Sequence, residues 1–225
     1  MENCTCNNIY SKYFPFWNTL APGDRELLCA GTSEAFYKKG QPIHDGGGGD
    51  CTGTVFVKSG CIRVYILSED GKEVTLYRLF EGDFCMLSAS CVIQAVTFDV
   101  YVNAEEDSEC YILNPKIFSD VSERNTAMKI FALETAVERF SDVMWVMQQI
   151  LFFSLDKRIA VFLYDEMTKN NSDTVKLTHE QIARYISSAR EAVSRMLKYF
   201  SAEGIVELSR NGVKIIDKKK LKAKL

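Results

Sequence analysis

The stretch LTHEQIARYISSAREAVSRMLK, residues 177–198, predicts two short helices joined by a tight turn. Thr178 can cap the first helix, because its hydroxyl can accept a backbone N–H of the first turn. Ser187 and Ser188 interrupt the helical pattern, and a second helix starts after Ala189. The apolar positions keep helical spacing and face a core: Ile182, Ala183 and Ile186 in the first helix, and Ala192, Val193, Met196, Leu197 and Phe200 in the second.

The opposite face of the second helix carries side chains that can read DNA. An arginine fork can pair with guanine N7 and O6, a carboxylate can accept from cytosine N4, and a serine hydroxyl can do either. A solvated surface helix could carry the same charges, but strand-like segments at 205–208 and 213–216 follow, with a turn at Asn211-Gly212 between them. This order is typical of a winged helix-turn-helix. The predicted DNA-binding residues are Thr178, Gln181, Ser188, Arg190, Glu191, Ser194, Arg195 and Lys198.

The two halves of the chain carry opposite net charges. Residues 156–225 contain 15 Lys+Arg and 9 Asp+Glu, a net of +6, which leaves 12 and 21 of the chain's 27 and 30, a net of −9, upstream. A basic terminal segment on a chain of net charge −3 fits a polyanionic partner for that segment alone. We therefore expect double-stranded DNA to bind this segment.

Length and composition indicate a globular protein with two modest cores. The chain has 225 residues, of which 47% are hydrophobic. It contains no apolar run of the ~18 residues that a membrane span requires, and no secretion signal is recognised at its N-terminus. We therefore expect a cytoplasmic protein without a membrane partner, whose eight cysteines are reduced thiols rather than a disulfide framework.

Glycine residues divide the upstream half into short segments rich in β-branched and aromatic residues. These segments are 54–58, 61–67, 73–79, 97–104 and 109–113. Their spacing predicts hairpins in a barrel or double sheet, with the sharpest hairpin signal at Asp70-Gly71. Short helices are predicted at 14–17 and 24–30, and the glycine run 46–49 predicts a flexible loop.

From Asn125 to about Phe153 the pattern changes to one long helix. Two sets of apolar residues repeat every seven positions: Leu133, Phe140 and Met147, and Ala136, Val143 and Ile150. These six residues predict a seam that pairs with its copy in a parallel coiled coil. A flanking stripe is expected to pack on the β-rich domain: Val137, Met144 and Leu151. A buried helix in a monomer is the alternative, but a helix-turn-helix of this kind reads two half-sites, which favours the dimer.

The order of a β-roll, a long helix and a winged helix resembles the Crp/Fnr family of bacterial transcription regulators over nearly the whole chain. The most specific match is SAREAVSR, residues 188–195. Matching positions upstream are Lys39-Gly40, Phe56 to Gly60, Arg63-Val64, Gly71 to Glu73 and Glu81 to Asp83. The resemblance implies an α+β fold with three parts: a jelly-roll-like β-roll sensor at 1–124, a dimerisation helix and hinge at 125–154, and the winged helix-turn-helix at 155–225.

The resemblance also implies a function. A Crp/Fnr regulator would bind a palindromic DNA site with TGA-like half-sites as a homodimer and would act with RNA polymerase. The base-reading positions would be held by Arg190, Glu191, Ser194 and Arg195. An effector in the sensor would reorient the reader helices, with a hinge near Phe152 to Asp156. A constitutive regulator with a vestigial sensor is the alternative.

The segment after the Gly82-Asp83 turn departs from the cyclic-nucleotide-binding members of that family. Those members carry a Gly-Glu pair and later an Arg-Ser pair, whose arginine meets the phosphate. Here residues 83–103 contain no arginine or lysine, and burying an unpaired phosphate is costly, so cyclic AMP is not expected. The candidate effector-binding residues are instead sulfur-rich and mostly neutral: Phe84, Cys85, Met86, Leu87, Ser88, Ser90, Cys91 and Thr97.

Cys85 and Cys91 leave several interpretations open. They could sense oxidants or electrophiles, ligate a metal, or fill the core as small apolar residues. Oxygen-sensing members of the family hold an iron–sulfur cluster, but Cys4 and Cys6 do not have the usual spacing and Cys29 is remote. An iron–sulfur cluster and haem are therefore weaker alternatives, and no metal ligands are assigned.

Enzymatic function is the competing class. The only two histidines, His44 and His179, fall in different predicted domains, so no Ser-His or Cys-His pair is indicated. His179 lies in the DNA-reading segment, where a surface or phosphate-contacting role is the simplest interpretation. The sequence therefore predicts a regulator and not an enzyme.

Overall fold

The computed structural model describes residues 5–46, 52–85 and 99–225. The described residues form two compact units, which divide within the long helix between residues 143 and 144. Residues 70–75 group with the C-terminal unit and the rest of the first 143 form the N-terminal unit. The three-part division predicted from the sequence stays a prediction.

Two four-stranded sheets form the N-terminal unit. One sheet has the order β1-β8-β3-β6 and the other β2-β7-β4-β5. The strands are β1 (Thr32–Tyr37), β2 (Pro42–Asp45), β3 (Thr54–Ser59), β4 (Ile62–Leu67), β5 (Glu73–Leu79), β6 (Phe84–Cys85), β7 (Tyr101–Ala104) and β8 (Ser108–Leu113). The predicted β-rich domain is confirmed, and β1, β2 and β6 are strands that the sequence did not predict.

Helical segments cover one sheet of this unit. They are α1 (Thr5–Tyr13), a 3-10 turn at Trp17–Thr19, α2 (Pro22–Ala30) and α3 (Pro115–Arg124). The predicted helix at 24–30 is confirmed, whereas the one at 14–17 is wrong and α1 was not predicted. Phe14, Phe16 and Trp17 are buried in an aromatic cluster, so their apolar pattern reflects core packing rather than an amphipathic helix.

The two faces of the first sheet contribute to two different cores, because side chains alternate along a strand. Phe56, Phe84 and Tyr111 point to the helices and join the aromatic cluster. Their strand neighbours Cys85 and Cys110 point the other way. This inner core is built from both sheets: Ile43, Val55, Val57, Ile62, Val64, Leu76, Tyr77, Leu79, Cys85, Val100, Val102, Ala104 and Cys110.

The long helix α4 (Thr126–Phe152) confirms the predicted central helix. Its docking face contacts the N-terminal unit through residues spaced three or four apart. Met128 and Thr135 are buried, Phe131 packs on the aromatic cluster, and Val143 packs half-buried on the inner core. Arg139, between them, pairs with Asp83.

The expected packing of the flanking stripe of α4 is wrong. Val137, Met144 and Leu151 do not pack on the β unit but are 63%, 45% and 66% exposed. The stripe that does dock contains the polar residues Thr135, Arg139 and Asp142. A search for apolar residues at helical spacing therefore does not identify it. Leu133 and Phe140 are exposed as the seam prediction expects, whereas Val143 is partly covered by its own chain.

The C-terminal unit has the order of a winged helix-turn-helix. Its elements are α5 (Leu155–Lys169), β9 (Thr174–Val175), α6 (His179–Tyr185), α7 (Arg190–Ala202), β10 (Val206–Ser209), β11 (Gly212–Ile215) and α8 (Lys218–Lys222). The three strands pair in the order β10-β11-β9. One apolar core joins all these elements, with Ile159, Leu163, Ile182, Val193, Leu197, Phe200, Val213 and Leu221 fully buried.

The break between α4 and α5 falls at residues 153–154, within the segment where a hinge is expected. Within the described residues, no helix combines the length and the apolar character that crossing a membrane requires.

Candidate nucleic-acid interface and effector region

The two helices of the reader are fixed by a capping box and a tight turn. Thr178 Oγ1 accepts from Gln181 N at 3.1 Å, and Gln181 Oε1 accepts from Thr178 N at 2.9 Å. Both groups therefore satisfy backbone donors at the start of α6. In the turn, Ser187 adopts a left-handed φ of 54°, and Arg158 Nη1 donates to Ile186 O at 3.0 Å. The turn is thus held from α5 as well as from α6.

The predicted reading face of α7 points away from the core. Arg190, Glu191, Arg195 and Lys198 are exposed, and Ser194 is half-buried among them. Val193, Leu197 and Phe200 are buried on the other side, as predicted. The structure therefore brings together four exposed charged groups and one hydroxyl on a single helix face.

The other predicted DNA-binding residues lie at the edges of this face. Thr178 is exposed and Gln181 is half-buried, and both take part in the capping box. Ser188 is half-buried in the turn before α7. Their roles in DNA binding stay predictions.

A cleft beside the reader contains cationic groups that the sequence reasoning did not assign. The cleft has a volume of about 270 Å³ between the start of α6 and the β10–β11 turn. Its lining includes Lys176, His179, Arg210 and Asn211. Arg210 lies between the two predicted wing strands and Lys176 lies far upstream, so the sequence gives no sign that they are close until β9 is known to pair with β11.

His179 is held against the reading helix. Its Nδ1 lies 3.0 Å from Ser194 Oγ, within hydrogen-bond distance. Burial lowers the pKa of His179 below its usual value, and the positive charges of Arg190 and Lys198 lower it further. The imidazole is therefore neutral at pH 7 in the DNA-free protein.

The tip of the wing depends on Gly212. Ser209 pairs with Gly212 across a two-residue turn, one residue before the turn predicted at Asn211-Gly212. Gly212 has a φ of +124°, and a Cβ atom there would come within 2.1 Å of Val175 O. Only glycine allows β11 to approach β9 this closely, so the wing is placed by backbone packing.

Only part of the candidate effector region lies in the described residues. Met86, Leu87, Ser88, Ser90, Cys91 and Thr97 lie outside them. Phe84 belongs to the aromatic cluster under the helices, whereas Cys85 belongs to the inner core. Of the two, Cys85 is therefore the one placed for an effector inside the β unit.

The thiols of Cys85 and Cys110 lie in the apolar inner core. Burial raises the pKa of the Cys110 thiol to about 12, and nearby Cys85 adds to the shift. Burial likewise raises the pKa of the Tyr77 phenol well above its usual value, again with a contribution from Cys85. Thiolate chemistry at Cys110 is thus disfavoured at neutral pH. Among the described residues, no group of three His, Cys, Asp or Glu side chains could hold a metal ion.

Arg139 is a cation beside the inner core, and it comes from α4 rather than from the segment after Gly82. Its Nη2 lies 3.5 Å from Asp83 Oδ1 and its Nη1 2.8 Å from Asp142 Oδ2. Its guanidinium also lies 5.3 Å from the Tyr77 ring centre. Burial raises the pKa of Asp142, and Arg139 opposes that shift. Sequence reasoning missed this residue because it examined only residues 83–103 for a cation.

Two family models match the chain. A cyclic nucleotide-binding domain matches residues 34–125, and a Crp-like helix-turn-helix domain matches residues 157–224.

Known proteins with the same arrangement are transcriptional regulators. The solved structure of a Crp/Fnr family regulator from Eubacterium rectale shares 43% sequence identity with this chain and has a TM-score of 0.88. The match covers 95% of this chain and 98% of the solved chain. The Cyclic AMP receptor protein of Thermus thermophilus shares 22% sequence identity with this chain, over 89% of this chain and 92% of the receptor protein. The c-di-GMP responsive global regulator CLP of Xanthomonas campestris shares the fold with a TM-score of 0.74 at 18% identity, covering 88% of this chain and 100% of its own.

Replacing Arg139 with methionine tests whether its charge holds α4 to the β unit. We expect a loss of about 1–3 kcal/mol in the free energy of unfolding at pH 7, because two carboxylates lose a charged partner. Without Arg139 the pKa of Asp142 rises further, and a raised folded-state pKa favours the fold at low pH and loses that effect as pH rises through it. The deficit should therefore be smaller at pH 4 than at pH 7 in urea titrations followed by circular dichroism.

Arg139→Lys is the matched control, since it keeps the charge and should keep most of the stability at pH 7. An equal deficit at both pH values in the methionine variant would show that only packing was lost.

Proposed function

Because this chain belongs to the Crp/Fnr family of transcriptional regulators, we propose that it binds a palindromic DNA site as a homodimer under the control of a small-molecule effector. The DNA-binding part of this proposal rests on one observation, the exposed face of α7. On that face, Arg190, Glu191 and Arg195 are exposed and lie opposite the core. No comparable set of side chains suggests catalysis in the described residues, and the relatives are regulators, so we do not propose an enzyme.

Direct base reading is assigned to four residues of α7: Arg190, Glu191, Ser194 and Arg195. Glu191 accepts from cytosine N4, and Arg190 and Arg195 donate to guanine or to neighbouring phosphates. Glu191 is the second residue of α7 and is exposed. Lys198 is two turns further along and is assigned to the phosphate backbone.

Dimerisation is assigned to the exposed stripe of α4. Seven of the ten exposed large apolar residues of α4 follow alternating spacings of three and four, the pattern of a coiled-coil seam: Ile130, Leu133, Val137, Phe140, Met144, Met147 and Leu151. An exposed apolar stripe of this length on a helix is costly in water, and a second copy in parallel orientation would cover it. Two-fold symmetry then sets the separation of the two reading helices, which is why a palindrome with half-sites one helical turn apart is proposed.

The effector is assigned to the inner core of the β unit and the docking face of α4. Relatives are named for different effectors, cyclic AMP and c-di-GMP, so the shared fold leaves its identity open. In this chain Arg139 is already paired with two carboxylates, Asp83 and Asp142. A phosphate entering beside them would meet a cluster with a net negative formal charge, so cyclic AMP is disfavoured.

Redox control and a vestigial sensor are the two alternatives to control by a small-molecule effector. The raised pKa of the Cys110 thiol disfavours redox control through that residue. A vestigial sensor would give DNA binding that no candidate effector alters in a gel shift. Protein purified without oxygen and analysed by mass spectrometry and absorption would reveal a retained organic ligand or a chromophore.

Binding selection from random DNA tests the base-reading assignment. Glu191→Ala should lose roughly 1–3 kcal/mol of discrimination at one defined position of each half-site. Glu203→Ala makes the same change at the exposed far end of α7 and should leave the selected site unchanged. Lys198→Ala should instead weaken all sequences about equally and reduce the salt slope of binding by about 1. An asymmetric selected site, or the same preference in wild type and Glu191→Ala, would remove Glu191 from the reading set.

Sedimentation of Phe140→Asp tests the seam. A carboxylate on each copy would lie in the apolar centre of the coiled coil, so the variant should sediment as a monomer at concentrations where wild type is a dimer. Glu134→Asp places the same residue at an exposed position of α4 away from the stripe and should leave the dimer intact. An unchanged dimer in Phe140→Asp would reject this seam.

Calorimetry with cyclic AMP tests the charge argument for the sensor. We expect no saturable heat at micromolar nucleotide, because the docking-face cation is neutralised by Asp83 and Asp142. Saturable binding would overturn this argument. Asp142→Asn frees part of the Arg139 charge, so any weak nucleotide binding should be stronger in that variant than in wild type.

A further inference from the structure

His179 touches a base-reading residue without belonging to the reading helix. It is the first residue of α6, and its Nδ1 lies 3.0 Å from the hydroxyl oxygen of Ser194. Ser194 lies one helical turn after Arg190 and one turn before Lys198, in the middle of the reading face. The imidazole therefore reaches the hydroxyl most central to that face.

A serine hydroxyl has one hydrogen, so its bond to His179 decides what it can offer to DNA. When Nδ1 accepts, the Ser194 hydrogen points to the imidazole and only oxygen lone pairs face the DNA. When Nδ1 carries a hydrogen and donates, the Ser194 hydrogen is released toward the DNA. A neutral imidazole allows both arrangements, whereas a protonated one allows only the second.

We propose that His179 is a positioning residue that sets the hydrogen-bond polarity of Ser194, so that its protonation selects what Ser194 reads on the DNA. The proposal rests on the proposed function, since it requires α7 to read bases. With His179 neutral, Ser194 can accept from cytosine N4 or adenine N6. With His179 protonated, Ser194 donates to guanine O6 or N7, to thymine O4, or to a phosphate oxygen.

The charges around His179 make this protonation depend on DNA. Arg190 and Lys198 face it from α7, and Lys176 and Arg210 line the same cleft from the end of β9 and from the wing turn. Together with burial, the first two lower the pKa of His179 in the free protein. DNA phosphates placed against these cations offset their charge and favour the imidazolium.

The sign of the pH effect follows from this difference. A pKa that is higher in the complex than in the free protein means that binding takes up a proton. The affinity for DNA should therefore rise as pH falls through the pKa of the complex and level off below the pKa of the free protein. A histidine side chain ordinarily changes its charge between about pH 5 and 8, so the rise in affinity should be sought across that range.

The presence of only two histidines makes His179 directly measurable. In protein with isotope-labelled histidine, NMR should give one signal from each of the two imidazoles, and the signal absent from His179→Asn identifies His179. On adding the selected DNA, the pKa of His179 should rise. An unchanged His179 pKa would overturn the proposal.

Binding measured by fluorescence anisotropy at constant ionic strength supplies the functional readout. Wild type should bind its selected site several-fold more tightly at pH 6 than at pH 8. His179→Asn is the central variant, because an amide nitrogen or oxygen at the δ position can still bond Ser194 but does not titrate. It should bind with little dependence on pH, while His44→Asn, the matched control in the other unit, should keep the wild-type dependence.

Binding selection at pH 6 and pH 8 then tests the change in polarity. Wild type should change its preference at one position of each half-site, whereas Ser194→Ala and His179→Asn should each select the same bases at both pH values. A wild-type preference that does not move with pH, or a pH slope that survives in His179→Asn, would overturn the proposal while leaving DNA reading intact. Absence of sequence-specific binding by wild type at both pH values would instead overturn the proposed function and this inference with it.

Discussion

The docking of α4 on the β unit is the constraint on which the rest of the N-terminal half depends. Phe131, Thr135 and Arg139 fix which side of the helix faces its own chain, and therefore which apolar side is left exposed. Arg139 and the exposed stripe belong to the same continuous helix, from Thr126 to Phe152. Under the proposed function, a ligand that exchanged partners with Arg139 would therefore act on the helix that also carries the proposed seam.

The side of α4 that packs on the β unit could not be predicted from the sequence. The apolar pattern of α4 correctly predicts a long helix, but apolar residues recur on both sides of Leu133 and Phe140, so the pattern alone cannot choose the flank that packs inward. The docking face is marked instead by Thr135, Arg139 and Asp142, which a hydrophobic period discards. Arg139 pairs with Asp142 three residues later on the same helix and with Asp83 far upstream, and only the second pairing requires the three-dimensional structure to be recognised.

The reader was predicted more completely because its determinants are local. A cap at Thr178, an interruption at Ser187 and the apolar spacing of α7 all act within a few residues, so sequence carries them directly. His179 is the exception. Its bond to Ser194 joins residues that are 15 positions apart across the turn, and no spacing rule signals it. In the β unit, α1 and the strands β1, β2 and β6 were not predicted from the sequence for the same reason. Each of them is stabilised by partners that are distant in the chain.

Both halves of the chain use one electrostatic device in opposite ways. On the docking face of α4, Arg139 lies between two acids, so a neutral, hydrogen-bonding ligand would meet less resistance there than an anionic one. In the reader, a titratable imidazole lies beside cations, so the local field disfavours its charged form. Under the proposed function, the first arrangement would restrict which effectors bind and the second would couple DNA binding to a proton. Neither is dictated by the shared fold, because both depend on side chains at a few positions of α4 and of the reader. Relatives named for different effectors use the same scaffold, so we expect specificity to depend on the charge environment of such side chains.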